Sequence, residues 1–343
     1  MPILIISKSK LFSNLHILKN TINTQIAAVI KDNAYGHGIE EISNLLVEFG
    51  INSVFVKNNF EANKVNNKFQ HITILYPNCY ENIPNNVYLT ISSLDCIQKI
   101  PINTGIELKV NTGMNRNGIE PSDLIMALNL IKTQNLRLIG VFTHNAYGDC
   151  YGNSHCDDFI SQQNLFKQIK NQTLDFVAKH NLPKPRFHSL SSSGAIKVGN
   201  VDDDLVRIGI AMYGYLCTNH DIVNELQPIA EIWTSKISSR FLKKGDKVGY
   251  EGKYIIQEDC IVSSYDIGYG DGLFRLNENH HKLTTKEGYI ILPRMSMDST
   301  SIISNEEEIC IMNDASIFAN IFGTIPYEIL CKISPYMKKV IKE

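Results

Sequence analysis

Ile26-Ala27-Ala28-Val29-Ile30 runs straight into Lys31-Asp32-Asn33-Ala34-Tyr35-Gly36-His37-Gly38, and the chain changes period immediately afterwards. The apolar run has the length of a buried strand, and the two glycines punctuate a turn. From Ile39 to Phe49 the residues Ile42, Leu45, Leu46 and Phe49 fall on one helical stripe. Strand, turn and helix in that order make one unit of an α/β fold. Lys31 then stands at the carboxyl end of a strand, where α/β folds place their chemistry whether the sheet is open or closed.

The same alternation continues outward to about Ile210. Further strands are expected over Ser53–Val56, Ile72–Leu75, Val87–Thr90, Ile106–Val110, Leu138–Thr143, Arg186–His188 and Leu205–Ile208, with helices over Leu124–Lys132 and Asp157–Lys179. Eight parallel strands with intervening helices predict a closed (β/α)8 TIM-type barrel over residues 8–221, and an open doubly wound sheet is the alternative. After Tyr215 long helices give way to strand-like runs over Ile229–Leu242, Lys247–Tyr250, Cys260–Ile267, Tyr289–Leu292, Ser301–Ile303 and Ile309–Met312. With short helices over Ala315–Phe322 and Tyr327–Ile333, these predict a C-terminal, mainly β domain over residues 222–343. Residues 1–7 contain one more candidate strand, Ile3–Ser7, placed to pair with that domain.

The chain has 343 residues, of which 43% are hydrophobic and 20% charged, which excludes a disordered or fibrous protein. Its 33 basic and 35 acidic side chains leave a net charge of -2, so there is no general basic field for a nucleic acid. No apolar stretch approaches the ~18 residues of a membrane span, and Met1 to Ser7 lacks the pattern of a secretory signal. A cytoplasmic protein is expected, with its eight scattered cysteines as reduced thiols. Cys150, His155 and Cys156, with His144 upstream, match no zinc spacing and read as loop residues, so no metal is expected. The pair His280-His281 reads as solvated.

A lysine at a strand end can have its pKa lowered by desolvation, as a Schiff-base lysine requires, but a lone one is more often a solvated surface group. The unbroken Asn33-Ala34-Tyr35-Gly36-His37-Gly38 gives Lys31 its meaning, because the run resembles the cofactor-lysine segment of the alanine racemases. These are fold-type III enzymes that use pyridoxal 5'-phosphate (PLP). The resemblance implies that Lys31 binds the cofactor covalently and that Tyr35 hydrogen-bonds its phosphate; Asp32 stands where a small residue is usual.

Further segments match in order. Lys109-Val110-Asn111-Thr112-Gly113-Met114-Asn115-Arg116-Asn117-Gly118 resembles the segment whose arginine contacts the cofactor's phenolic oxygen and helps place the substrate, which implies that role for Arg116. A guanidinium fork suits an oxyanion or carboxylate. Lys109 matches a position often carbamylated in the family, and is otherwise a barrel-lining lysine paired to an acid. Asn117 stands where many alanine-specific members carry leucine. His144 and His188 follow two more strands, and the resemblance aligns both with the arginine under the cofactor ring, His144 also lying against the catalytic tyrosine. Within Ser191-Ser192-Ser193, counting from His188 makes Ser192 the phosphate-binding serine.

Val206-Arg207-Ile208-Gly209-Ile210-Ala211-Met212-Tyr213-Gly214 is a second specific match. It implies that Arg207 faces the pyridine nitrogen while the N–H groups of Gly209 and Ile210 cradle the phosphate. Ile267-Gly268-Tyr269-Gly270-Asp271-Gly272 resembles the segment holding the second catalytic base, Tyr269. Arg294-Met295-Ser296-Met297-Asp298 resembles the substrate-pocket turn, with Met297 near the substrate carboxylate. Near the end, Pro335 occupies the place of a phosphate-binding tyrosine, and Tyr336 substitutes after a shift of one residue.

The family implied is one of PLP-dependent racemases that interconvert L- and D-alanine with two bases, Lys31 and Tyr269, supplying D-alanine for peptidoglycan. It also implies a homodimer with shared active sites, in which the tyrosine comes from the partner. A broader-specificity amino acid racemase and a non-catalytic PLP-binding homeostasis barrel are the competing readings; the latter lacks a β domain. An amino acid decarboxylase of the same fold type usually has an acid, not Arg207, at the pyridine nitrogen.

Overall fold

A computed structural model describes residues 1–149, 156–216, 221–277 and 283–343. The chain forms two compact units, one of Phe12–Asp32 and Ile42–Leu226, the other of Met1–Leu11, Asn33–Glu41 and Gln227–Glu343.

Numbered along the chain, β1 is Ile3–Ser7, followed by β2 (Gln25–Val29), β3 (Ser53–Val56), β4 (His71–Ile74), β5 (Val87–Ile91), β6 (Gly105–Lys109), β7 (Arg137–Phe142), β8 (Arg186–His188) and β9 (Leu205–Ile208). In the first unit the parallel order is β8-β7-β6-β5-β4-β3-β2-β9. The ring closes between its two ends through a parallel bridge of Ser191 with Arg207 and the bonds Asp204 N–H to Phe187 O (2.9 Å) and Arg207 N–H to Leu190 O (3.1 Å). A closed barrel is therefore the answer, not an open sheet. All eight expected strands form, each within one residue of its expected bounds, because buried parallel strands read as short continuous apolar runs. The helices Ile39–Phe49, Leu124–Thr133 and Cys156–Lys179 also form as their periodicity requires.

In the second unit β1 pairs antiparallel with β10 (Ala230–Leu242), as its apolar run suggested, and parallel with β16 (Lys338–Lys342). Between these lie β11 (Lys247–Val248), β12 (Tyr254–Ile255), β13 (Cys260–Tyr265), β14 (Thr300–Ile303) and β15 (Glu308–Met312). The sheet runs β14-β13-β10-β1-β16, and β15 also pairs with β10. The expected strand over Tyr289–Leu292 is not a strand. The Thr285–Gly288 turn, closed by Gly288 N–H to Thr285 O at 3.0 Å, leaves only single bridges at Ile290 and Ile291. Nothing in the sequence pattern pointed to β16. Its lysines interrupt any alternation, and it occupies the sheet edge, where charged side chains discourage pairing with other chains.

Among the described residues no helix is long and apolar enough to cross a membrane, and no group of three His, Cys, Asp or Glu side chains could hold a metal. Cys150, His155, His280 and His281 lie outside the described residues.

Candidate active site

Ile30 N–H donates to Phe55 O at 2.9 Å, which keeps the chain in the barrel up to Lys31. The next four residues then turn the wrong way for L-amino acids: Asp32, Asn33, Ala34 and Tyr35 have φ of 52, 55, 53 and 54°. A left-handed turn costs roughly 1–2 kcal/mol per residue, least for Asp and Asn. Its bonds account for the residue types of the motif. Asn33 O accepts from Gly38 N–H (3.0 Å), Asn33 Oδ1 from Ile39 N–H (2.9 Å), and Ala34 O from His37 N–H (3.1 Å). His37 Nδ1 lies 3.0 and 3.1 Å from the carbonyls of Ala34 and Tyr35 and must donate to them. Burial pulls His37 down to about 4 against the pull of those carbonyls, so its ring is neutral with the proton on Nδ1. Gly36 sits at φ 83°, and a Cβ there would meet Leu330 O at 2.0 Å.

Lys109 ends β6 and is buried. The chain beyond it returns on itself, with Ile119 N–H to Lys109 O at 2.9 Å and Asn111 N–H to Ile119 O at 2.8 Å. Asn111 Oδ1 accepts from Gly113 N–H (3.1 Å) and Asn115 N–H (3.0 Å), shaping the loop that carries Arg116 and Asn117. Lys109 Nζ donates to Asn117 Oδ1, an amide where an acid was the expected alternative partner. Burial, then the charges of Arg116, Arg207 and Lys31, pull Lys109 down to about 7.

Arg207 is the most tightly held of these cations. Its Nη1 donates to His188 Nδ1 (2.6 Å) and His188 O (3.2 Å), and its Nη2 to Thr143 O (2.7 Å) and Ser189 O (3.2 Å), with His144 Nδ1 at 3.4 Å. The Phe142 ring lies 5.3 Å from the guanidinium and stacks on His188 at 4.8 Å. Burial lowers Arg207 to about 10, which leaves it charged at neutral pH. Burial, and then Arg207, Arg116, Lys109 and Lys31, hold His144 neutral with a pKa of about 3. Two residues past Arg207, Gly209 N–H donates to Ser192 Oγ at 3.2 Å, and Ile210 follows in a 3-10 turn. The barrel unit thus brings together Lys31, Lys109, Arg116, His144, His188, Ser192, Arg207, Gly209 and Ile210.

The remaining expected residues belong to the second unit. Tyr269 and Met297 are brought side by side by their backbones: Tyr269 N–H donates to Ser296 O (3.2 Å) and Gly270 N–H to Met297 O (2.8 Å). A Cβ on Gly268 would lie 2.1 Å from Met297 O, so glycine is required for this approach. Tyr269 is 37% and Met297 53% exposed. Tyr35 is buried with its ring 5.9 Å from that of Tyr327, whereas Tyr336 is 91% exposed.

Three participants were not singled out from the sequence. Phe142 is indistinguishable in pattern from other strand residues. Glu107 and Arg186 did leave a signal, since a charge inside an apolar barrel strand needs a partner. Glu107 accepts from Arg186 Nε at 2.6 Å, from Arg186 Nη2, and from His188 Nε2 at 3.1 Å. Burial alone would raise Glu107, but Arg186 and His188 outweigh it and hold the carboxyl at about 2.

Comparison with known proteins gives one consistent result. Residues 6–217 match the family model described as alanine racemase, N-terminal domain, and residues 230–341 the alanine racemase C-terminal domain. The alanine racemase of Campylobacter concisus is 38% identical over 310 residues, covering 90% of each chain. That of Nitratiruptor is 38% identical over 320 residues, 92% of this chain and 91% of its own. Among solved structures, alanine racemase from Clostridium difficile superposes with a TM-score of 0.88 at 24% identity, covering 99% of this chain and 95% of that one. Alanine racemase from Bartonella henselae, described with covalently bound pyridoxal phosphate, superposes with a TM-score of 0.81 at 22% identity and 99% coverage of both chains.

Proposed function

The chain belongs to the alanine racemase family, and from that premise we propose that it interconverts L- and D-alanine with PLP held at the carboxyl ends of its barrel strands. The observation that carries this reading is the cation cluster. Lys31, Lys109, Arg116 and Arg207 lie close enough for their charges to act on one another, and Lys109 is forced toward neutrality. Such a cluster suits an anionic aldehyde, with Lys31 as the amine that bonds it.

In this reading Arg207 and Arg116 would hold the cofactor ring, the first at its pyridine nitrogen and the second at its phenolic oxygen, with His188 and His144 keeping Arg207 in place. Ser192, the N–H groups of Gly209 and Ile210, Tyr35 and Tyr336 would receive the phosphate. Bound PLP supplies an electron sink that acidifies the substrate Cα–H. Arg207 tunes that sink, because a guanidinium cannot give its proton to the ring nitrogen. Lys31 Nζ moves the proton on the face of the D-enantiomer and Tyr269 Oη on that of the L-enantiomer. Tyr269 and Met297 reach the substrate from a second copy in a homodimer. Lys109, near neutrality, is in the form that adds carbon dioxide, and the resulting carbamate would offer Arg116 a carboxylate. The setting is cytoplasmic and the product D-alanine for peptidoglycan. Residues 8–221 and 222–343 are the corresponding domains.

A broader amino acid substrate range is the second reading, favoured by Asn117, whose amide binds Lys109 beside Arg116. Racemase assays over a panel of L-amino acids decide between the two. For the reading as a whole, borohydride treatment of the purified protein should abolish a visible absorption band and leave a pyridoxyl mass on Lys31. Labelling elsewhere, or racemisation undiminished by that treatment, would overturn it.

A further inference from the structure

His188 is enclosed by two partners of opposite kind. Arginine only donates, so the 2.6 Å contact of Arg207 Nη1 with His188 Nδ1 requires an unprotonated Nδ1. The ring proton must then be on Nε2, 3.1 Å from Glu107 Oε2, which as a carboxylate only accepts. His188 is wholly buried and stacked on Phe142 at an interplanar angle of 15°, so no water competes for either nitrogen. Glu107 is itself fixed by Arg186, which also donates to Ser53 Oγ (3.3 Å) and Thr73 Oγ1 (3.1 Å). The chain Arg186, Glu107, His188, Arg207 therefore has one consistent assignment of donors and acceptors.

We propose that Glu107 is a positioning residue: by accepting the His188 Nε2 proton it fixes the tautomer and ring orientation that anchor the Arg207 guanidinium. This rests on the reading of Arg207 as the residue facing the cofactor's ring nitrogen. The requirement is for an acceptor at position 107 and not for a charge, so the amide of glutamine serves if Arg186 does not claim its oxygen.

That distinction supplies the test. Glu107→Gln/Arg186→Met and Glu107→Met/Arg186→Met both remove the ion pair without leaving a lone buried charge, and they differ only in an acceptor at position 107. Their side-chain histidine 15N spectra, with the His188 signals identified by their loss in His188→Gln, report the tautomer whether or not cofactor is bound. The glutamine variant should keep the Nε2–H signature, and the methionine variant should move toward mixed tautomers. The kcat of the methionine variant should be lower by roughly 10- to 100-fold, the scale of misplacing a reacting group, with KM moved much less. Identical His188 spectra in the two variants would overturn the proposal. So would a lower kcat without a change in tautomer, which marks a structural effect, or a changed tautomer at equal kcat. If instead the wild-type holoenzyme lacks a borohydride-sensitive absorption band, the cofactor reading fails while the tautomer assignment stands.

Discussion

Two layers of charge inside the same barrel are handled in opposite ways. In the inner layer Glu107 and Arg186 neutralise each other, and Ser53, Thr73 and His188 add further hydrogen bonds to the pair. Two residues further along the same strands, on the same face, stand Lys109 and His188, and there Lys31, Lys109, Arg116 and Arg207 accumulate positive charge. The inner layer is built to be complete within the chain. The outer one is costly in the protein alone, and that cost supports the proposal of an anionic ligand there.

The largest expected effect comes from breaking the outer layer at Lys31, the amine proposed to bond the cofactor's aldehyde. Lys31→Ala should lower racemase activity by at least ~10⁴-fold, since on the proposed reading it removes both the covalent attachment and one proton carrier. It should also abolish borohydride trapping. Activity within tenfold of wild type would mean that the cluster serves some other anion.

The inner layer breaks differently. Glu107→Met leaves the half-buried Arg186 guanidinium without a counter-charge, which should cost up to ~3 kcal/mol of stability, whereas Glu107→Met/Arg186→Met should recover most of it. Urea denaturation of both proteins checks this. Equal losses in the single and double variants would show that the layer is held by packing and not by pairing. Arg186 lies between the rings of Phe55 (5.9 Å) and Tyr88 (5.7 Å), so part of any loss in the double variant reports those contacts.

The contrast between layers also bears on what could be read in advance. Barrel strands were legible from local pattern, short apolar runs set between glycine-marked turns, whereas the Lys31 turn and the Arg207 segment stood out through their resemblance to a known family. Glu107 and Arg186 each stand out as a charge within an apolar strand, but they are 79 residues apart and meet only because β6 and β8 face the same interior, so nothing local says which partner each takes. The role of His37 was hidden for another reason. Its place in the motif was plain, but that it secures a left-handed turn by donating to Ala34 and Tyr35 appears only with backbone angles in hand. The short edge strand β16 escaped because lysines blur its period.

The charge surplus at Lys109 makes a graded prediction. In an unfolded chain a lysine keeps its proton to about pH 10.4, whereas folded Lys109 loses it at about 7. Between those values the unfolded state carries the extra proton, so the contribution of Lys109 to stability rises with pH across the window. In bicarbonate-free buffer, stability from pH 7 to 10 should therefore climb more steeply in wild type than in Lys109→Met. Equal slopes would show that neighbouring anions already balance Lys109.

The smallest effect is expected where the outer layer does contain a local ion pair. Asp32, in the left-handed turn, meets Lys57 Nζ at 2.5 Å just beyond β3, but the two side chains are 33% and 49% exposed. Water and salt screen such a pair, so it contributes on the order of 0–1 kcal/mol. Lys57→Ala should change stability by less than ~0.5 kcal/mol and racemase activity by less than about twofold. Asp32→Ala should cost more, roughly 1 kcal/mol, because it puts a residue without a polar side chain at φ 52°, a conformation that Asp tolerates better. The order of the two losses is the test. If Lys57→Ala proved the more damaging, the pair would be holding the Lys31 turn through charge, and the surplus at the barrel mouth would have to be recounted with Asp32 and Lys57 as members of the site.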